Sequence, residues 1–232
     1  MPIQLSETNF NKQVDFPQVW DNTMRVDFAD CQRKFFYQFL HNLVPNVTNI
    51  NLHAGGAFAS GMEAARRAFY EEKLSAQESV LRGVKQLITY YGEFDPGLSV
   101  KTCSRMVGAL GSYFQQYPLE TDHLKPVMLS GRPAIEFSFA IPIDVAHPVN
   151  KQPIIYCGRF DLLAALNENL DCQYVVDEKT TTQLGSSWNK QWTMRSQFPG
   201  YVWGAKKFNH PVQGAIIRGV SILKEKYGHA EA

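Results

Sequence analysis

The chain has 232 residues, 44% hydrophobic and 19% charged, with a formal net charge of +1. That length suits one domain burying about 70% of the surface its unfolded chain exposes, and the composition excludes a disordered chain or a small disulfide scaffold. Near-neutrality excludes nucleic-acid binding by a global field, so any such binding would have to use a local basic patch.

Residues 1–20 read as irregular, with Pro2 and Pro17 as punctuation. A first helix is expected over about 23–43, capped by Thr23, with Phe28, Cys31, Phe35 and Phe39 at helical steps. An Asn-rich loop (Asn46 to Asn51) follows. Further helices are expected over about 56–72, 76–92 and 102–117, the last ended by Pro118. Alternation then predicts strands from Ala134 to Ile143, from Ile154 to Leu166 and from Asp171 to Lys179, the last two joined by the turn Asn167-Glu168-Asn169. After a polar loop (Thr180 to Asn189), a helix is expected over about 196–208; Pro199 is tolerated in its first turn. A final strand runs from Pro211 to Leu223. The order is α+β: an N-terminal helical region over about 20–118, then a β-β-β-α-β sheet core over about 132–223, read as one domain over 1–232 with a mixed central sheet flanked by helices.

The four cysteines, Cys31, Cys103, Cys157 and Cys172, form no C-x-x-C pair, which suits a reducing compartment. Cys157 and Cys172 lie in apolar runs and read as small core residues. Met1 to Gln13 lacks the apolar stretch of a signal peptide, and no apolar run approaches ~18 residues, so a soluble cytoplasmic protein without membrane contact is expected.

The chemistry concentrates late in the chain. Gly158-Arg159-Phe160-Asp161 lies on one expected strand and Asp177-Glu178-Lys179 on the next. Strand alternation puts Asp177 and Lys179 on one side and Glu178 on the other, and a neighbouring strand ~4.8 Å away lets Asp161 reach the first side. Two carboxylates beside an amine suit Mg²⁺ or Mn²⁺. Such an ion would polarise a phosphodiester, while Lys179 would serve the attacking water. The pattern alone is common: Glu71-Glu72-Lys73 fits it too, and reads as a solvated helix end. Around the later helix, Lys190, Arg195, Lys206 and Lys207, with Arg66 and Arg67 upstream, read as a phosphate track, and Trp188 and Trp192 as candidates for stacking on bases.

These motifs resemble the PD-(D/E)xK nuclease superfamily, in its RecB-like and phage-type exonuclease branch, which joins a G-x-x-D strand, a D-x-K strand and a helix bearing Q-x-x-x-Y. Here that helix carries Gln197 and Tyr201, and Cys31-Gln32-Arg33-Lys34-Phe35-Phe36-Tyr37 is similar to an early helix of the branch. The resemblance implies a restriction-endonuclease-like fold with Asp161 and Asp177 as metal ligands, the Glu178 backbone carbonyl as a further one and Lys179 as the catalytic lysine. It also implies that Gln197 and Tyr201 position the substrate and the active-site strands, and that Glu136 holds metal through water. The branch carries a histidine on an upstream helix. This chain has Ala59 there, with Glu63 one turn on and His53 nearby. Relatives with an iron–sulfur cluster use one early and three late cysteines; Cys31 suits the early position, but no cysteine follows Cys172, so no cluster is expected. The middle of the D-x-K motif is usually apolar, and Glu178 is expected to face solvent or pair with a basic residue across the sheet.

The resulting expectation is a Mg²⁺- or Mn²⁺-dependent DNA nuclease, of the exonuclease type, in phage or bacterial recombination, replication or repair, acting in the bacterial cytoplasm with a recombination partner protein. Two alternatives remain open: a non-catalytic nucleic-acid-binding module on the same fold, and a small-molecule hydrolase with a coincidental acidic strand.

Overall fold

The computed structural model describes residues 16–43, 45–193 and 195–222. In chain order the elements are β1 (Val19–Trp20), α1 (Asn22–Asp30), α2 (Gln32–Phe35), one π-turn (Phe36–Leu40), α3 (Ile50–Tyr70), α4 (Ala76–Tyr91) and α5 (Cys103–Gln116). Then come β2 (Leu124–Pro126), β3 (Met128–Leu129), β4 (Arg132–Pro133), β5 (Ile135–Ala146), β6 (Pro153–Leu166), β7 (Asn169–Thr181), α6 (Ser186–Thr193), α7 (Gln197–Lys207) and β8 (Val212–Ser221). The fold is α+β around a mixed sheet: β6 and β7 are antiparallel, β7 and β8 parallel, and β1, β2 and β5 all join β6. Among the described residues no helix is long and apolar enough to cross a membrane. Most of the irregular start expected over 1–20 lies outside the described residues, as does the end of the expected final strand at Leu223.

By compactness the chain divides into two units, residues 1–46 with 140–158 and residues 47–139 with 159–232. In the first, one long helix was expected and two short ones form. Asp21 rather than Thr23 caps α1, through the Met24 N–H. Cys31 then breaks the helix with extended backbone (φ −157, ψ 99), its sulfur accepting the Lys34 N–H that opens α2. The break folds the helical stripe back on itself, so Trp20 stacks on Phe35 at 5.0 Å while Phe28 meets Phe35 edge-on at 5.2 Å. Cys157 and Cys172 are half-buried rather than core residues.

In the second unit, Asn49 caps α3 and draws Ile50–Gly55 into the helix, ahead of the start expected near Gly56. The capping box Ser75/Glu78 opens α4 where periodicity puts it. α3 and α4 cross closely because Gly61 faces Gly83: a Cβ at Gly83 would lie 2.6 Å from the Gly61 carbonyl and 2.9 Å from the Ala65 Cβ. Around this crossing Phe58, Met62, Leu87, Met106, Leu110 and Phe114 form the main helical core. β6 turns into β7 through Asn167 and Glu168, both left-handed (φ 51 and 61), as in a two-residue hairpin turn with matching twist. A smaller core of Leu124, Ile135, Leu162, Ala164 and Val176 packs against Tyr70. The expected polar loop contains α6, whose apolar content is almost entirely Trp188 and Trp192.

The crossing sets the sign of a test. Gly→Ala inside a helix normally stabilises by about 1 kcal/mol through propensity. Gly83→Ala should instead lower unfolding free energy by about 1–3 kcal/mol in urea, because the backbones must separate.

Candidate functional site

The second unit carries every residue of the expected acidic site. Leu163 stands opposite Val175 and Leu162 opposite Val176; one further regular antiparallel step would set Asp161 opposite Asp177. The backbone does not continue plainly through this step. Leu162 packs on the Tyr70 side of the sheet, whereas Phe160 meets Tyr201 of α7 at 5.4 Å. Strict alternation would put both on one face, so the phase of β6 changes at Asp161. The same happens at Glu136 in β5: Ile135 belongs to the Leu162 cluster, Phe137 lies 5.8 Å from Phe160, and Glu136 between them has φ 51. A left-handed glutamate inside a strand is strained by about 1–2 kcal/mol.

At this irregularity the Asp161 carboxylate accepts the Glu178 backbone N–H at 3.3 Å, in place of a ladder carbonyl. The N–H and C=O of a strand residue point the same way, so the Glu178 carbonyl also faces the β6 side. Asp177 is 1% exposed, and its side chain pairs with Lys179. The ammonium lies 2.8 Å from Oδ1 with hydrogen-bond geometry and 2.7 Å from Oδ2, where it approaches off-axis and leaves that buried oxygen without a hydrogen bond. Burial pushes both aspartates towards protonation. Asp161 is held well above the ordinary carboxylate value, first by burial and then by the charges of Asp177 and Glu178; Asp177 is raised by burial, against the pull of Lys179. Two carboxylates share one lysine, and the site is short of positive charge.

The other acidic candidates are neutralised by arginines. Glu63 pairs with Arg67 at 2.8 Å and Glu136 with Arg159 at 2.7 Å. Glu178 projects to the opposite face and pairs with Arg66, as the expected basic partner across the sheet. Arg66 is therefore no phosphate track: it is 5% exposed, inside an ion pair. Arg67 is likewise committed, to Glu63, Glu71 and the Ile135 carbonyl. Tyr113 donates to Glu178 at 2.8 Å and receives Arg66 and Arg218 at 3.2 and 2.9 Å, while Arg218 closes on Asp122 at 2.6 Å. Burial alone would raise Glu178; Arg66, Tyr113 and Arg218 outweigh it and hold the carboxyl below its ordinary value.

Two cavities adjoin Asp161. A small one, about 10 Å³ and so on the scale of one water or ion, is lined by Ala59, Glu63, Arg66, Glu136, Asp161 and Glu178. The larger, about 770 Å³, opens beside Asp161, Lys179, Thr182, Gln191 and Arg195. Ala59 lines both. His53 is not off the helix as expected, because α3 starts before it; its ring stacks on Phe94 at 4.0 Å and reaches the Tyr91 carbonyl at 2.9 Å. Among the described residues no three His, Cys, Asp or Glu side chains are gathered as metal ligands. Glu63, Glu136 and Glu178 are each paired with an arginine, but burial still raises Glu136 against the pull of Arg159, so it joins the two aspartates as an acid short of positive charge.

Gln197 donates to Tyr201 at 3.1 Å, one turn apart on α7, and Tyr201 braces Phe160 beside Asp161. Lys190 and Arg195 are exposed, and Arg195 lies over Trp192 at 4.9 Å. Trp188 and Trp192 contact each other at 5.3 Å; Trp188 covers Gly219 and Trp192 meets Phe198, so both are engaged within the fold. The Glu71-Glu72-Lys73 triplet is exposed at the end of α3, as expected of a solvated helix end. Sequence reasoning missed Tyr113, Asp122 and Arg218, and also Lys101, which carries no motif. The pairing of Glu178 with Arg218 across β7 and β8 was a signal only once the register was known.

No protein-family model matches this chain, and a search of curated proteins finds no match either. The family resemblance rests on the motifs and their setting alone.

Arg66→Met leaves a buried carboxylate unpaired and should cost about 3–5 kcal/mol in urea unfolding, with most of it recovered in Arg66→Met/Glu178→Met. Glu178 has a depressed folded value, so its contribution is full above the ordinary 4.5 and is lost as pH falls through the folded value. The double variant should show a flatter stability profile across that acidic range.

Proposed function

We propose that the chain is a divalent-metal-dependent nuclease hydrolysing phosphodiester bonds in DNA, of the exonuclease type, with a restriction-endonuclease-like core of the PD-(D/E)xK superfamily. Its setting would be phage or bacterial recombination, replication or repair in the bacterial cytoplasm. The observation carrying this reading is the pair of buried aspartates, Asp161 on β6 and Asp177 on β7, with Lys179 against Asp177 and the Glu178 N–H against Asp161.

The donor set suits Mg²⁺ or Mn²⁺: two hard carboxylates, both raised first by burial, with Asp161 lining a cavity of ionic size. Asp161, Asp177 and the Glu178 carbonyl would hold the ion, with Glu136 and Glu63 meeting its waters once loosened from their arginines. When bound, such an ion supplies polarisation of the phosphodiester and a more acidic water. Asp177 holds the Lys179 ammonium by a hydrogen bond to Oδ1, and that ammonium would offset charge growing on the phosphate oxygens. Tyr201, steadied by Gln197, holds Phe160 and so the phase change that aims Asp161.

A second reading, a nucleic-acid-binding module without catalysis, is favoured by Ala59, which lines both cavities where the family carries its histidine.

With Mn²⁺ or Mg²⁺ the chain should degrade linear DNA. Asp177→Ala and Lys179→Ala should each lower the rate by about 10²-fold or more, as expected for loss of a metal ligand or a charge-stabilising group, with circular dichroism unchanged. Salt-sensitive DNA binding without cleavage in either metal would instead select the second reading. Independently of activity, the folded value of Asp161 is raised, so its contribution to stability is lost as pH rises through that value. Asp161→Asn should therefore raise the metal-free melting temperature at neutral pH. It should also abolish the rise that Mn²⁺ gives the unaltered chain.

A further inference from the structure

Lys101 lies outside every motif, in the segment between α4 and α5, immediately before Thr102, the cap of α5. It is 5% exposed, and among the described residues no carboxylate pairs with it. Its ammonium has only two long contacts, 3.4 Å to the Thr180 carbonyl and 3.4 Å to the Thr180 hydroxyl, although it carries three donors. Burial with no compensating charge lowers its pKa. The backbone is fixed at both ends: the Lys101 carbonyl accepts Tyr91 Oη at 2.7 Å and its N–H donates to Ser99 Oγ at 3.2 Å.

A buried, under-coordinated ammonium costs free energy that a mere tether to Thr180 would not repay, since a neutral donor would serve the same carbonyl. What distinguishes the site is its place. Lys101 lines the 770 Å³ cavity together with Asp161, Lys179, Thr182 and Arg195. Thr180 directly follows Lys179 on β7, and alternation turns the two side chains to opposite faces. Lys101, anchored at Thr180, therefore enters the cavity from the other side of the strand end than Lys179. Both ammonium groups line this one cavity, so a polyanion there would meet both.

We propose that Lys101 is a phosphate-binding residue, engaging a substrate-strand phosphate other than the one met by Lys179. The inference rests on the reading that this cavity accepts a nucleic-acid strand, and does not require that the strand be cut. The Lys101 ammonium would exchange its long contacts with Thr180 for a charge-assisted bond to a phosphate oxygen.

The test is binding of a short fluorescein-labelled oligonucleotide, single-stranded and duplex, to the full chain carrying Asp177→Asn, followed by anisotropy across a salt series. Lys101→Met should weaken binding by about tenfold and flatten the log–log salt dependence by about 0.7–0.9, the share of one phosphate. Lys101→Arg should restore most of both. The melting temperature of Lys101→Met should be equal or higher, since an uncompensated buried charge has been removed. Should Lys101→Met fail to fold, Lys101→Gln keeps a donor for Thr180, drops the charge and carries the same expectation. Unchanged affinity and salt slope in the charge-removing variant would overturn the proposal, as would a parent that binds neither form of the oligonucleotide. Absence of cleavage by the unaltered chain would defeat the nuclease reading alone and leave the Lys101 result standing.

Discussion

The side chain of Glu178 ties the sheet of the larger unit to its helices. A carboxylate buried this deeply is tolerated only when every oxygen is met by a donor and its charge is balanced. Three elements do this together: Arg66 from α3, Tyr113 from α5 and, through Tyr113, Arg218 from β8, itself balanced by Asp122. The network holds β7 against two helices and its neighbouring strand at the residue between Asp177 and Lys179. Those two side chains are aimed at the opposite face as a geometric consequence of where Glu178 is held.

Around Asp161 and Asp177 the charge balance is incomplete. Glu63, Glu136 and Glu178 each face an arginine, whereas Lys179 pairs with Asp177 and Asp161 accepts the neutral Glu178 N–H. Backbone irregularity falls at the same place: β5 and β6 change phase at Glu136 and Asp161, one of them at the cost of a left-handed glutamate. Strain and unbalanced charge at one point of a well-packed sheet are what a site built for an incoming cation and anion would need.

Much of this was legible in the sequence where local rules decide. The extents of α4 and α5, the strands from residue 153 onward and the one-turn spacing of Gln197 and Tyr201 follow from periodicity. The break at Cys31 was hidden because its flanking aromatics keep helical spacing although the backbone does not. The start of α3 was hidden because an Asn-rich stretch reads as loop until Asn49 is seen as a cap. At the site, the placement of Asp177 and Lys179 followed from alternation. The phase changes at Glu136 and Asp161, and the burial of Arg66 and Lys101, depend on long-range packing that no local pattern encodes.

Gly219 lies beside Lys179 in the β7–β8 register, and Trp188 of α6 rests where its side chain would be, 2.8 Å from an added Cβ. The absence of one methyl group thus lets an indole roof the strand next to the amine. An uncharged indole covers the strand beside that amine. A larger residue at 219 would push Trp188 and Leu184 off the sheet there, without touching a single charged group.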